Sequence, residues 1–265
     1  MADPLLCRLA DWDGGRKIDT IDKLTPPGAR PRLRALATRV EWQVLLGCLM
    51  ITIAVAGFAA LAAEAREGDI NAVDRVLLLA FRAPGDLSHE IGPRWLQESA
   101  RDITALGGFT VTVLVSIFAT AMLVLHRRRR EALLFAAVVI GTEVASEAIK
   151  FLIARPRPVL VPHYDLVYSS SFPSGHAMMS PVVYLTLAAV LAAGTPSRQV
   201  RTVLLGSAAF LVVAIGVSRV YLGVHWPTDV LAGWALGCAI ALAASYVLLF
   251  PELNRAPDAE ARRPG

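Results

Sequence analysis

The chain has 265 residues, of which 55% are hydrophobic and 18% are charged, and its net charge is +4. Soluble domains carry about 25% charged residues, so this composition argues against a soluble protein and favours one that crosses a membrane several times. The basic residues concentrate in particular loops without interleaved aromatic side chains, which predicts membrane topology and no nucleic-acid partner. The three cysteines indicate neither a disulfide framework nor a CxxC metal motif.

Both ends of the chain are polar. Residues 1–41 contain proline and many arginines and lysines, so we expect a cytoplasmic tail with a short interfacial helix around Leu33–Val40. The first long apolar run starts near residue 42, too far into the chain for a cleavable signal peptide. Residues 251–265 are expected to form a second cytoplasmic tail.

Between the tails, residues 42–250 contain apolar runs that are each long enough to cross a membrane. A bilayer core of about 30 Å takes about 17 to 25 helical residues. The runs are continuous rather than alternating, which favours helices over a barrel. We therefore predict an all-α membrane bundle of six transmembrane helices. The runs lie at 42–63, 109–125, 132–150, 177–193, 202–221 and 229–250.

The arginines of short loops predict the orientation, because such loops are enriched in Lys and Arg on the cytoplasmic side. Those of the tails and of two connecting loops all fall on one side of a six-span bundle, which is therefore predicted to be cytoplasmic. Residues 66–106 fall on the outer side, where we expect short helices on the membrane surface. This segment is either a plain connector or a gate for a substrate. The cytoplasmic arginines are Arg30, Arg32, Arg34, Arg39, Arg127–Arg130, Arg198, Arg201, Arg255, Arg262 and Arg263.

Four basic residues break this rule, because Lys150, Arg155, Arg157 and Arg219 lie on the outer side. The first three belong to the stretch KFLIARPRP, whose two prolines favour extended backbone, so its arginines leave the helix and curl over its end. Guanidinium and ammonium groups in this position can grip the oxygens of one phosphate.

The stretch PSGH, Pro173–His176, stands immediately before an apolar run. Ser174 is a good N-cap for the helix, and Gly175 lets a ligand approach the backbone. The free N–H groups and partial positive charge of a helix N-terminus form a natural anion site. His176 is placed on the first turn beside that anion, where it can move a proton. Alone, the stretch reads equally as a capped helix with an interfacial histidine.

The stretch SRVYLGVHWPTD, Ser218–Asp229, spans the loop before the last apolar run. Asp229 follows His225 by four residues, so in a helical turn its carboxylate lies within reach of an imidazole nitrogen. Such a carboxylate fixes the tautomer and leaves the other nitrogen free as a nucleophile or a base. This spacing also occurs often by chance.

Taken together, the motifs Lys-x6-Arg-Pro, Pro-Ser-Gly-His and Ser-Arg-x5-His-x3-Asp resemble the membrane-bound type-2 phosphatidic acid phosphatase superfamily. This family includes bacterial undecaprenyl-diphosphate and phosphatidylglycerophosphate phosphatases. The resemblance covers residues from about 109 to 250. It implies an integral-membrane phosphatase that needs no metal or other cofactor.

The resemblance also implies a role for each motif residue. His225 attacks phosphorus to give a phosphohistidine, Asp229 orients it, and His176 protonates the leaving oxygen and then activates water. Fixed cations and a helix end stand where other phosphoryl-transfer enzymes use Mg²⁺. The residues implied to hold the phosphate are Lys150, Arg157, Ser174, Gly175 and Arg219.

The implied substrate is a phosphorylated membrane lipid whose phosphate lies in the headgroup layer while its tail stays in the bilayer. Undecaprenyl diphosphate, phosphatidylglycerophosphate, phosphatidate and lipid A phosphate all satisfy this description. The resemblance implies the bacterial inner membrane, with the site at the outer face, towards the periplasm or cell exterior. The oligomeric state is not predicted.

Four further polar residues lie near the motifs and are candidates for a supporting role. Glu147 is expected to pair with Lys150 or an arginine near the site, and Glu143 to be protonated or bonded across helices. His163 and Tyr168, in the outer loop, either touch the headgroup or make no contact.

Two other classes of protein compete with a phosphatase. Vanadate-dependent haloperoxidases resemble the same motifs, but they are soluble, which six spans argue against. A lipid-binding or transport protein could use the same cations without hydrolysis, but it would need no His–Asp pair.

Overall fold

The computed structural model describes residues 30–67, 72–162 and 169–260. The predictions for His163 and Tyr168, and for the far ends of both tails, lie outside the described residues. Leu49–Gly265 is one compact unit, and it holds every candidate site residue.

The described chain is mostly helical, as the apolar runs predict, with one small hairpin. The helices and strands in chain order are α1 (Arg30–Glu67), α2 (Ala72–Leu79), β1 (Arg82–Ala83), β2 (Asp86–Glu90), α3 (Arg94–Leu106), α4 (Phe109–Leu125), α5 (Arg129–Ile153), α6 (Gly175–Ser180), a π-helical turn (Pro181–Leu185), α7 (Thr186–Ala193), α8 (Arg198–Tyr221) and α9 (Pro227–Glu260).

Five stretches of the described chain are long and apolar enough to span a membrane. A sixth is reached if α3 and α4, which meet at an angle of 46°, count as one bent span. Large apolar side chains point outwards from these helices, and Leu133 and Phe210 are both 73% exposed. Such surfaces suit a bilayer, so the predicted all-α membrane bundle is confirmed. The five stretches are Val44–Glu67, Arg129–Ile153, Gly175–Ala193, Arg198–Tyr221 and Pro227–Leu249.

Two local predictions need revision. The stretch Leu33–Val40, expected to be a separate interfacial helix, lies inside α1. Residues 66–106, called the outer segment for their predicted side, contain the expected helices α2 and α3, but the antiparallel hairpin of β1 and β2 separates them. Gly85 has a φ of +82° at the hairpin turn, a conformation that glycine adopts without steric cost.

Glycines on α9 bring α6 directly against it. A Cβ atom on Gly233 would lie 2.8 Å from the carbonyl oxygen of Ser174, and one on Gly237 would meet the carbonyl oxygen of Met178. The backbone N–H of Ser174 donates to the carbonyl oxygen of Asp229 at 3.0 Å. Small residues permit this backbone contact, and it joins the start of α6 to the start of α9.

A buried apolar cluster supports this end of the bundle. It joins α2, the loop after α5, α6, α8 and the start of α9, and its largest side chain, Trp226, is only 2% exposed. Burying a large apolar side chain away from water stabilises a fold by about 1.5–3 kcal/mol. The cluster therefore fixes the elements that carry the motif residues. Its members are Leu78, Val161, Ala177, Val220, Trp226 and Val230.

Candidate active site

All three motif stretches meet at one end of the bundle, as the sequence predicts. Helices α5 and α8 end there, and α6 and α9 begin there. The helix ends thus bring together residues that lie far apart in the sequence. The structure places the candidate residues Lys150, Arg157, Ser174, Gly175, His176, Arg219, His225 and Asp229 at this end.

His225 is buried, with 2% of its surface exposed, and its two ring nitrogens have different neighbours. Nε2 lies 3.2 Å from Nη1 of Arg157. Since a guanidinium can only donate, Nε2 must hold the lone pair and Nδ1 the proton. Nδ1 lies 3.5 Å from Oδ2 of Asp229. The lone pair of Nε2 therefore faces the guanidinium of Arg157, on the side of the ring away from Asp229.

Burial is the main influence that holds the pKa of His225 well below its ordinary value. The positive charges of Arg219, Arg157 and Lys150 act in the same direction. All of these disfavour the imidazolium, so the ring is neutral near physiological pH.

This lowered pKa predicts the acid side of the pH profile. Protonation of Nε2 removes the lone pair that is proposed to attack phosphorus. Because the pKa of His225 lies well below the ordinary histidine value of about 6.5, activity should persist well below that pH. The measurement is kcat against pH for the wild type and for Arg219→Gln, because titration of the substrate is common to both. Loss of one cation should move the acid limb of the variant to higher pH. Coincident acid limbs would contradict the proposed influence of Arg219.

Asp229 is fully buried, and both of its oxygens are held. Oδ2 accepts a hydrogen bond from the backbone N–H of Trp226 at 2.9 Å. Oδ1 accepts one from Nη1 of Arg155 at 2.6 Å. The carboxylate is thus fixed in position against His225, because a charged donor and a backbone donor both restrain it.

Lys150 lies beside the start of α6. A Cβ atom on Gly175 would stand 3.3 Å from Nζ of Lys150, so glycine allows the ammonium to approach the helix end. The same Nζ donates to Glu147 Oε1 at 2.6 Å, which confirms the predicted pair. The hydroxyl of Ser174 accepts from the N–H of Ala177 at 3.4 Å as the N-cap of α6.

The two arginines of the motifs are held by different elements. Nε of Arg157 donates to the carbonyl oxygen of Ser169 at 2.8 Å, and its Nη1 donates to that of Val224 at 2.7 Å. Arg219 is only 1% exposed, and its Nη1 donates to the hydroxyl of Thr104 on α3 at 3.1 Å. The outer segment therefore supports one of the candidate phosphate ligands.

His176 is partly buried on the first turn of α6, as predicted. The junction between α3 and α4 packs against it. A Cβ atom on Gly108 would lie 3.5 Å from Nε2 of His176, and one on Gly107 would lie 3.3 Å from its Cβ. The absence of side chains at this junction therefore lets His176 sit close to the backbone.

The structure separates Arg155 from the basic residues that line the candidate anion site. Its guanidinium is buried and lies 2.7 Å from Asp74 and 2.6 Å from Asp229. Asp74 and Thr228 were not predicted as site residues. Glu143 is partly buried in α5 and makes no hydrogen bond or ion pair within the described ranges.

The same described ranges contain no group of three or more His, Cys, Asp or Glu residues placed to hold a metal ion. Independence from metal stays a prediction.

The fold and this cluster define a class: an integral-membrane protein with a candidate anion site beside a buried imidazole. The PAP2 superfamily model matches residues 131–251, which include all of the candidate residues. Phosphatidylglycerophosphatase B of Bacillus subtilis is 37% identical over 148 residues, which cover 54% of this chain and 70% of that protein. The chain belongs to the PAP2 superfamily, and it is a phosphatase.

Two further similarities agree with this membership. Undecaprenyl-diphosphatase of Sulfolobus acidocaldarius is 37% identical over 130 residues, covering 46% of this chain and 58% of that protein. The crystal structure of a transmembrane PAP2 type phosphatidylglycerolphosphate phosphatase from Bacillus subtilis superposes with a TM-score of 0.66 at 29% identity. That match covers 76% of this chain and 96% of the other.

Proposed function

We propose that this phosphatase removes phosphate from a lipid headgroup, as a monoester or a diphosphate, through a phosphohistidine on His225. One observation carries the proposal: the lone pair of Nε2 faces Arg157, while Nδ1 of the same ring faces the fixed carboxylate of Asp229. This arrangement prepares one nitrogen to attack and the other to bear the resulting positive charge.

In the first step, Nε2 of His225 forms a bond to phosphorus as the bond from phosphorus to the leaving oxygen breaks. The electron pair goes to that oxygen, which takes a proton from His176. The ring of His225 becomes positively charged, and Asp229 stabilises it. The cations that influence His225, namely Arg219, Arg157 and Lys150, stabilise the charge on the phosphoryl oxygens.

In the second step, water attacks phosphorus and gives its proton to His176, now neutral. The bond between Nε2 and phosphorus breaks, and its electron pair returns to the ring of His225. The products are inorganic phosphate and the dephosphorylated lipid, and both histidines regain their starting states.

The relatives support a lipid substrate, since one is named for phosphatidylglycerophosphate and another for undecaprenyl diphosphate. The site lies at the ends of the candidate membrane spans, where a headgroup phosphate would meet it. The test is phosphate release by purified protein from vesicles that contain either lipid or phosphatidate. Release should persist in a chelator and disappear in His225→Ala. Tight binding of lipid without release would favour a binding or transport protein.

Substitution of the two motif arginines should weaken catalysis. Arg157→Lys and Arg219→Lys keep the charge but lose the planar pair of donors that matches phosphate. We expect kcat/KM to fall by about tenfold or more, equivalent to about 1.4 kcal/mol of transition-state binding. Arg201→Lys, at the opposite end of α8, is the control and should keep full activity. Unchanged kinetics in both test variants would remove them from the phosphate site.

We also propose that the site faces the periplasm or exterior of a bacterial inner membrane, with both tails cytoplasmic. In a variant without its natural cysteines, Leu87→Cys on β2 of the hairpin should react with an impermeant thiol reagent on intact cells. Gln199→Cys, at the opposite end of the bundle, should react only after permeabilisation. Both side chains are exposed, so the reverse labelling pattern would invert the orientation.

A further inference from the structure

A buried polar cluster stands behind Asp229, on the side away from His225. Arg155 donates through Nη1 to Asp229 at 2.6 Å and through Nη2 to Asp74 at 2.7 Å. Thr228 completes the cluster, because its hydroxyl accepts from Arg155 at 2.8 Å and donates to Asp74 at 2.6 Å. The backbone N–H of Thr228 also donates to Asp74 at 2.8 Å. One end of α2 is thereby joined to the first turn of α9.

The charges of this cluster do not balance. Asp74 and Asp229 are both 0% exposed and Arg155 is 5% exposed, so two carboxylates share one guanidinium away from water. A buried pair of opposite charges would suffice to satisfy Arg155. The second carboxylate leaves one negative charge beside the neutral ring of His225. That charge is matched when the ring becomes positive.

We propose that Asp74 is a positioning residue for the reaction: it acts through Arg155 to hold Asp229 in place and to keep its negative charge available to His225. This inference rests on the proposed function, because it assumes that His225 becomes charged during turnover. Asp74 touches neither His225 nor the anion site in its hydrogen bonds, which go to Arg155 and Thr228.

The physical reason lies in competition for Asp229. The guanidinium of Arg155 lies 2.6 Å from Oδ1 of Asp229, and the ring of His225 lies 3.5 Å from Oδ2. The positive charge of Arg155 therefore weakens the negative potential of Asp229 at the ring. Asp74 offsets that guanidinium from its far side and so restores the potential at His225. In a low-dielectric interior such charges act over these distances. The benefit arises only when the imidazolium forms, so it belongs to kcat rather than to substrate binding.

Asp74→Asn tests the proposal because it removes the charge and keeps the size of the side chain. We expect kcat for a lipid phosphate to fall by about 10- to 100-fold, the range found for groups that orient metal-binding histidines, with KM unchanged. Asp86→Asn is the matched control, since Asp86 is an exposed carboxylate in the same outer segment. It should keep wild-type kinetics, and an unchanged kcat in Asp74→Asn would overturn the proposal.

The pH dependence of kcat on its acid side distinguishes a positioning role of Asp74 from a general loosening of the site in Asp74→Asn. The charged groups that act on His225 are Asp229, Arg219, Arg157 and Lys150, and Asp74→Asn retains them all. Loss of a negative charge should move the acid limb to lower pH. A loosened site would admit water and move the limb to higher pH, towards the ordinary histidine pKa, and that result would overturn the proposal.

A double-mutant cycle with Asp229→Asn tests the role of Asp74 separately from the proposed mechanism at His225. If Asp74 acts through Asp229, Asp74→Asn should cause no further loss in the Asp229→Asn background. An equal loss in both backgrounds would overturn the positioning role. A normal kcat in Asp229→Asn itself would instead overturn the proposed function, whereas a low kcat there with a normal one in Asp74→Asn would overturn only the role of Asp74.

Thr228 provides a second variant in case Asp74→Asn does not fold. Thr228→Val removes the hydroxyl that joins Arg155 to Asp74 and keeps the shape of the side chain. We expect a lower kcat with an unchanged KM. Thr228→Ser keeps the hydroxyl and should recover most of the activity, whereas equal activity of the two variants would overturn the proposal.

Discussion

His225→Ala is expected to abolish both formation of a phosphoenzyme and hydrolysis of the lipid. The variant lacks the nitrogen that attacks phosphorus, and the cations that remain around the site can bind phosphate but cannot form a covalent bond to it. The measurement is trapping of ³²P on the protein in a denaturing alkaline quench, with a phosphate-labelled substrate. The bond between nitrogen and phosphorus in a phosphohistidine survives base and hydrolyses in acid, so label that is lost on acid treatment identifies it.

His176→Ala should fail differently, because this residue is proposed to move protons. Departure of a lipid alkoxide needs a proton and should be slowed strongly. An activated aryl phosphate departs without one, so its first step should be less affected, and labelled enzyme should accumulate because no base activates water. Label in His225→Ala and none in His176→Ala would reverse the two assignments.

Asp229→Asn is expected to retain substrate binding and lose much of kcat, by a factor of up to about 10⁴, as when the carboxylate of a catalytic triad is replaced. The amide is neutral, so it cannot stabilise the imidazolium of His225. Its NH₂ group can also turn towards Nδ1 and favour the wrong tautomer.

The measurement for Asp229→Asn is kcat and KM on a lipid phosphate, together with thermal unfolding in detergent. Loss of one partner of Arg155 destabilises a buried ion pair, so the variant must be assayed below its own unfolding temperature. A kcat within a few-fold of the wild type would remove Asp229 from the proposed mechanism. A raised KM with unchanged kcat would assign it to binding instead.

The membrane helices and the motif residues could be predicted from the sequence because both are local signals. A long apolar run predicts a membrane helix without information from the rest of the chain. Lys150, Ser174 and Arg219 stand at the ends of such runs, and helices of alternating direction bring those ends to one face.

The role of Asp74 could not be predicted, because its partners Arg155 and Thr228 lie 81 and 154 residues away in the sequence. A single Asp in a short amphipathic helix looks like a surface residue. Only packing of α2 against α9 buries it. For the same reason, the contact between Thr104 and Arg219 could not be predicted from the sequence.

The direction of the Arg155 side chain also could not be predicted from the sequence. It stands two residues before Arg157, and both were expected to curl over the end of α5 towards phosphate. Proline-rich extended backbone turns about once every three residues, so residues two apart need not point the same way. In the structure, Arg155 turns inwards to Asp74 and Asp229, while Arg157 lies beside His225.

The outer segment was expected to be a connector or a gate, and its contacts indicate support for the site. Arg82 of the hairpin donates to the carbonyl oxygen of Tyr221 at 3.0 Å, at the end of α8. Tyr221 in turn donates to the carbonyl oxygen of Ile91 at 2.8 Å. Together with Asp74 and Thr104, these bonds tie the segment to α8 and α9, and gating stays a prediction.

The contact between α6 and α9 has a consequence for how the protein tolerates change. Gly233 and Gly237 let main chain meet main chain, so the spacing between His176 and Asp229 is set by backbone atoms. Side chains such as Phe210 and Leu133 contribute nothing to that spacing, because they project into the surroundings. The exposed side chains of the helices can therefore be substituted, for a thicker bilayer or even for water, without a change in the distance between His176 and Asp229.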